Sequence, residues 1–206
     1  MLPLPWGEGR GEGMLIAALA LALSACSSRA ERWLTPAPAP ELAALEVKRD
    51  APFSLAQQRG RVLLVSFGYT SCLSVCPLTL TKMHEVLSEV AELECLYVSV
   101  DPERDTPQHF REFLGQFDSR IRGLSLKDES LNTTLAAWNV VATRRAPEVR
   151  RYVGRTIDPQ RDYSIDHTAS LWLIDGLGQL RVRFSPSATP EEIASAAQKL
   201  LDETAK

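Results

Sequence analysis

Two short, nearly continuous apolar runs separated by one helix-length segment constrain this chain most. "RVLLVSF" (61–67) lies between Gly60 and Gly68, and "LECLYVSV" follows at 93–100. Runs of this kind suit strands buried on both faces of a parallel sheet. Between them, "PLTLTKMHEVLSEV" (77–90) sets Leu80, Met83, Val86 or Leu87, and Val90 at helical spacing, with Pro77 suited to a first turn. Strand, helix and strand over this length make a βαβ unit, whose crossover is right-handed.

Downstream, "DPERDTPQHFREFLGQF" opens a second helix, with Asp105 or Thr106 as its N-cap and Pro107 at the first helical position. A third helix is expected over about 129–138. "ASLWLID" (169–175) and "GQLRVRF" (178–184), joined through "GLG", predict an antiparallel hairpin. "TPEEIASAAQKLLDE" closes the chain as an amphipathic helix, with Thr189 as cap, Pro190 just inside and Glu192 at the capping-box position. The whole reads as an α/β chain of thioredoxin-like fold, a central mixed sheet flanked by helices.

The amino end is different in kind. "MLIAALALALSAC" (14–26) is too short to span a bilayer and suits the apolar core of a signal peptide. Leu23-Ser24-Ala25-Cys26 resembles the lipobox of bacterial lipoprotein signal peptides, in which cleavage precedes the cysteine and its thiol carries diacylglycerol. An uncleaved apolar anchor is the competing reading. "SSRAERWLTPAPAP" (27–40) is small, polar and proline-rich without apolar period, as in an extended tether. The expected organisation is a signal peptide over 1–25, a flexible tether over 26–40 and one domain over 41–206. That domain would be held at the membrane through lipid on Cys26, in the bacterial cell envelope, facing the periplasm or outer side. A net charge of −3 over 206 residues argues against general nucleic-acid binding, which needs a strong basic field.

With Cys26 assigned to lipid, three cysteines remain. Cys95 sits inside an apolar strand, where a thiol behaves as a small hydrophobe. Cys72 and Cys76, in "FGYTSCLSVCP", lie four apart at a helix start, where the helix terminus stabilises anionic sulfur. Such a pair is a static disulfide, a redox couple, or two ligands of a soft metal such as Cu(I). A metal needs a third ligand, and the chain has three histidines. His84 and His109 fall on helices and read as surface residues. His167, in "YSIDHTASLWLID", sits where a loop enters a buried strand, on the side where a fold of this kind brings a second loop against the cysteines. The plainer reading of His167 is a strand-end histidine bonded to Asp166. Asp101, at the end of the neighbouring strand, has two readings, a place near the site and, the preferred one, the start of an Asp-Pro turn before the helix. Residues 143–163, with six arginines against three acids, predict a loop or extended hairpin that carries His167 toward the pair and offers a basic face to an acidic partner.

"FGYTSCLSVCP", "VSVDPERDTP" and "DHTASLWLID", in that order, together resemble the Sco/SenC family of copper-binding cytochrome c oxidase assembly proteins. The resemblance implies a thioredoxin-like fold and copper, as Cu(I) or Cu(II), held by Cys72, Cys76 and His167. Asp166 would then orient the imidazole. It also implies a partner, the copper-bearing subunit of the oxidase or another periplasmic copper protein. Many members have histidine, proline and aspartate where this chain has Ser71, Leu73 and Ser74. The alternative is a periplasmic thiol–disulfide oxidoreductase with Cys72 and Cys76 as its redox-active residues. Against it, such enzymes use a two-residue spacer, and "DHTAS" has no proline opposite the cysteines.

Overall fold

The computed structural model describes residues 31–147, 158 and 161–205. In chain order the first strands are Glu31–Pro38 (β1), Ala43–Glu46 (β2), Ala51–Ser54 (β3) and Leu63–Gly68 (β4). Helix Val75–Glu89 (α1) leads to Glu94–Ser99 (β5), and Pro107–Gly115 (α2) leads to Arg122–Ser125 (β6). Asp128–Ala137 (α3) precedes the strands Ala142–Arg145 (β7), Ser164–His167 (β8), Leu171–Ile174 (β9) and Gln179–Phe184 (β10). Pro190–Thr204 (α4) closes the chain.

The two apolar runs do form the centre. β4 and β5 pair in parallel, from Leu63 opposite Glu94 to Gly68 opposite Ser99, and β6 joins β5 in parallel. All six residues of β4 are buried, as expected for a strand covered on both faces. β9 and β10 add antiparallel on the other flank, giving an eight-stranded mixed sheet in the order β1-β10-β9-β4-β5-β6-β2-β3. α1 buries Leu80, Met83, Val86 and Leu87, and α4, which packs on it, buries Ile193, Ala197 and Leu200. Burying each of the larger of these side chains contributes about 1.5–3 kcal/mol, which outweighs the modest helix propensity of the segments themselves. Phe67, Trp138 and Trp172 form an aromatic cluster with ring centroids 5.4–6.1 Å apart, which seats the end of α3 against the sheet.

The caps follow the sequence closely. Thr106 caps α2 by accepting from the His109 N–H at 3.3 Å, and Thr189 and Glu192 close both bonds of a capping box on α4. The tether requires a correction. Residues 31–38 are not a free linker but pair antiparallel with β10, Glu31 opposite Phe184 and Pro38 opposite Gln179, with an irregularity between Trp33 and Ala37. Pro36 and Pro38 lack the N–H that a central strand must donate, but an edge strand needs only one bonded side. Ordered pairing therefore begins by Glu31 rather than at residue 41. The hairpin β2–β3, which the sequence did not announce, extends the opposite edge through β6.

Residues 1–30, and with them the signal segment and Cys26, lie outside the described residues. Among the described residues no helix is long and apolar enough to cross a membrane. β7 and β8 form a separate two-stranded ribbon, Ala142 opposite His167 and Arg145 opposite Ser164. These strands are the described ends of the basic segment; residues 148–157 between them, including Arg150 and Arg151, lie outside the described residues.

Candidate metal centre

β4 stops at Gly68, the chain turns through Tyr69–Ser74, and α1 starts at Val75, so Cys72 falls in the turn and Cys76 in the first helical turn. The turn closes through the Cys72 N–H to the Tyr69 carbonyl at 3.4 Å. Gly68 is required by close approach: a Cβ there would overlap Tyr97 Oη and lie 2.9 Å from Cys76 Sγ. Both thiols are buried, Cys76 to 1% exposure and Cys72 to 8%.

His167 ends β8, and the ribbon carries it across to the pair: its Nε2 lies 3.2 Å from Cys76 Sγ. The ligand atoms of Cys72, Cys76 and His167 all fall within 4.8 Å of one another, the one such group of three or more metal-ligating side chains among the described residues. Nδ1 of His167 donates to the Thr168 carbonyl at 3.2 Å, which turns Nε2 to the sulfurs. The Tyr69 ring meets the imidazole edge to face, centroids 5.8 Å apart, while its hydroxyl accepts from the Ile165 N–H at 3.0 Å. One residue of the cysteine turn thus holds both ring and strand.

The pair shares its protons unequally. A hydrogen bond from Cys76, then contacts from His167 and the Ser74 and Cys76 N–H groups, pull the Cys72 thiol down to about 3 against the cost of burial. Cys76 is pushed up, first by its bond to the Cys72 sulfur and then by desolvation. The coupling therefore favours the thiolate on Cys72 over one on Cys76. Cys95 is fully buried, and burial raises its thiol well above the usual range, in keeping with a core thiol.

Asp166 does not orient the imidazole. It is exposed and accepts from Arg145 Nε at 2.6 Å, because neighbours along a strand point to opposite faces. The Thr168 carbonyl takes the role expected of Asp166. His84 lies on α1 with its Nδ1 2.9 Å from Asp118 Oδ2, and His109 stands in the first turn of α2; neither joins the group. Ser71, Leu73 and Ser74 are exposed around the pair. Of the basic segment, Arg144 pairs with Glu103 and Arg145 with Asp166, so both of these charges are met locally.

Two acids that the sequence treated as turn or cap residues support the site. Asp101 is fully buried, pairs with Arg104 and accepts from Tyr163 Oη at 2.6 Å. The Arg104 guanidinium stacks 3.6 Å from the Tyr163 ring centre and donates to the Tyr163 and Arg161 carbonyls, which anchors the entry to β8. Asp105, also fully buried, accepts from Thr70 Oγ1 and Ser99 Oγ, each at 2.6 Å, and ties the cysteine turn to the end of β5. Burial pushes its carboxyl up. The signal for both was the run "DPERDTP", in which four charged residues crowd the end of an apolar strand.

Two soft sulfurs, both buried, and the nitrogen of a half-buried imidazole form a donor set for a soft or borderline metal. The SCO1/SenC family model matches residues 44–202. The chain belongs to the SCO1/SenC family. The human mitochondrial Protein SCO1 homolog is 31% identical over 143 residues, which cover 66% of this chain and 44% of that protein. The chain thus spans less than half of that relative's length. The structure of Bradyrhizobium japonicum ScoI with copper bound is 30% identical, with a TM-score of 0.68 over 80% of this chain and 100% of that one. A thioredoxin domain of a thiol-disulfide oxidoreductase from Bacteroides vulgatus shares the fold at 13% identity, with a TM-score of 0.57 over 82% of this chain and 99% of that one. The SCO1/SenC chain accordingly has a thioredoxin-like fold, with its ligand group at the carboxyl end of the central parallel strands.

Proposed function

We propose that this protein is a copper chaperone that takes copper as cargo on Cys72, Cys76 and His167 and helps assemble the copper site of cytochrome c oxidase. The observation that carries this reading is the convergence of two sulfurs and one imidazole nitrogen within 4.8 Å, drawn from elements 91 residues apart in the chain. The Bradyrhizobium relative holding copper on the same fold supports it.

The residues divide the task by chemistry. Cys72, the more readily ionised, offers the first sulfur; Cys76, whose thiol is pushed up, must give up its proton before it ligates. Two thiolates satisfy Cu(I), whereas Cu(II) asks for the imidazole as well. Tyr69 and the Thr168 carbonyl hold the ring so that Nε2 needs little movement. The recipient in this reading is the copper-bearing oxidase subunit or another periplasmic copper protein. Lipid on Cys26 would keep the domain at the membrane of the cell envelope, close to such a recipient.

The test is copper per protein against a competing chelator. Cys72→Ser or Cys76→Ser abolishes tight binding in both oxidation states, a loss well beyond the roughly 10–100-fold that follows removal of an outer hydrogen-bond partner. His167→Ala retains Cu(I) and loses the Cu(II) form, and Cys95→Ser leaves stoichiometry unchanged. Full binding in either site serine variant overturns the reading. Cys26→Ser should leave the precursor unprocessed or release the protein from membranes; unchanged fractionation removes the anchor.

A second reading is thiol–disulfide exchange on an exported protein. It is favoured by the Cys72 thiol, which is pulled down beside a second thiol in bonding reach. Disulfide-reductase turnover by a copper-free protein would promote it.

A further inference from the structure

Tyr97 is a fully buried residue of β5, and its hydroxyl has no hydrogen-bond partner among the described residues. An unpartnered hydroxyl in a dry interior costs stability, so its surroundings call for an explanation. On one side the Phe110 ring lies 6.1 Å from the Tyr97 ring centre and offers no acceptor along its edge. On the other lies Cys76 Sγ: Tyr97 Oη and that sulfur flank the same point above Gly68, where even a single methyl group would collide with both. Gly68 leaves the gap through which hydroxyl and sulfur face each other.

We propose that Tyr97 is a positioning residue for Cys76, donating a hydrogen bond from its hydroxyl to the Cys76 thiolate and restraining that sulfur's electron donation. This role rests on the copper-binding reading of the site, but it acts through the sulfur and so also applies to the copper-free pair. A thiolate accepts a hydrogen bond far better than a thiol, and ligation requires both sulfurs as thiolates. The hydroxyl therefore donates most strongly in the loaded state and more weakly to the copper-free pair. It also makes the two sulfurs inequivalent. Cys72 lies in the turn before the helix start, and Cys76 lies beside a side-chain hydroxyl fixed in the core.

Two consequences follow from general chemistry. A hydrogen bond on a copper-bound thiolate draws electron density from sulfur, which tunes the metal's potential; it also raises the energy of the sulfur-to-copper charge-transfer band. In the copper-free protein the same bond stabilises the reduced pair, because a disulfide sulfur is a poorer acceptor. There the two cysteines lose two protons and two electrons as they form their disulfide, and one glutathione disulfide is reduced to two glutathiones.

The experiment compares the full chain with Tyr97→Phe, which keeps the ring and removes the hydroxyl. Loaded with Cu(II), the variant should show its charge-transfer band at lower energy with unchanged copper stoichiometry. Without copper, its dithiol–disulfide equilibrium against glutathione should move about tenfold toward the disulfide, equivalent to about 30 mV for this two-electron couple. An unmoved band and an unmoved glutathione equilibrium, together with a higher thermal midpoint, would mean that the hydroxyl was only an unpartnered group, and the proposal falls. Should the wild-type chain take no copper, the copper reading fails separately, and the glutathione equilibrium alone decides for or against Tyr97.

Discussion

At the amino end of the parallel strands, Arg122 lies between Glu46 and Glu94, donating at 2.7 Å and 2.6 Å, with Gln58 accepting a further bond at 3.1 Å. At the carboxyl end, buried Asp101 and Asp105 are bonded to Arg104, Tyr163, Thr70 and Ser99, yet the atoms they surround are two thiols, an imidazole nitrogen and the Tyr97 hydroxyl. Both ends bury charge in the same sheet. At the amino end the charges face one another and are consumed in holding β2, β5 and β6 together. At the carboxyl end they are spent on backbone and hydroxyl groups of the framework, so the sulfurs and Nε2 stay available to something from outside. Polar burial is structural where the partners close on themselves, and marks a site where soft donors are left over.

The largest expected separation of the two ends comes from Arg122→Ala. Glu46 and Glu94 would be left without their shared cation, at a cost of about 3–5 kcal/mol in urea unfolding, with copper stoichiometry untouched. A loss of copper at full stability would break the comparison. At the other end, Arg104→Met removes the guanidinium that pins Tyr163 and the entry to β8. Affinity for Cu(II), which needs His167, should fall about 10–100-fold while Cu(I) affinity changes less, measured by chelator competition. Equal losses for both ions would show that Arg104 supports the whole domain rather than the ribbon.

A smaller effect concerns protons. The mutual bond holds the Cys72 thiol below its usual range and pushes Cys76 above it, so Cu(I) is expected to displace one proton from the thiols. Apparent affinity should therefore rise with pH by about tenfold per unit between about pH 7 and 9, read from the same competition assay. A hundredfold slope would mean that both thiols are protonated in the resting pair. The smallest effect is expected from Asp166→Asn. Its pair with Arg145 is largely exposed, so stability should change by less than about 1 kcal/mol and the Cu(II) spectrum not at all. A spectral change would restore Asp166 to the imidazole.

How much was legible follows the range of each interaction. β4, α1 and β5 were readable because apolar period and burial coincide in one contiguous stretch. The caps at Thr106 and Thr189 were readable because a cap bonds within three residues. Asp166 was misplaced although its signal was present: the two-residue alternation of a strand that turns His167 inward turns Asp166 outward. β1 was hidden by Pro36 and Pro38, which mark a linker everywhere except on a sheet edge. Arg104 and Tyr163, 59 residues apart, carry no local trace of their contact.

By itself, the sequence determined the central βαβ unit, the placing of Cys72 and Cys76 at a helix start, the burial of Cys95 and, through three ordered motifs, the resemblance to the family. These depend on neighbours within one or two turns or on motif identity, which are written in order along the chain. The tertiary structure alone decided that β1 pairs with β10, that Thr168 rather than Asp166 holds the imidazole, that Asp101 and Asp105 anchor the site, and that Tyr97 faces Cys76. The reason is directional. A hydrogen bond or a ligand set depends on where side chains point after strands from distant parts of the chain are brought side by side, and that orientation exists only once the sheet has formed.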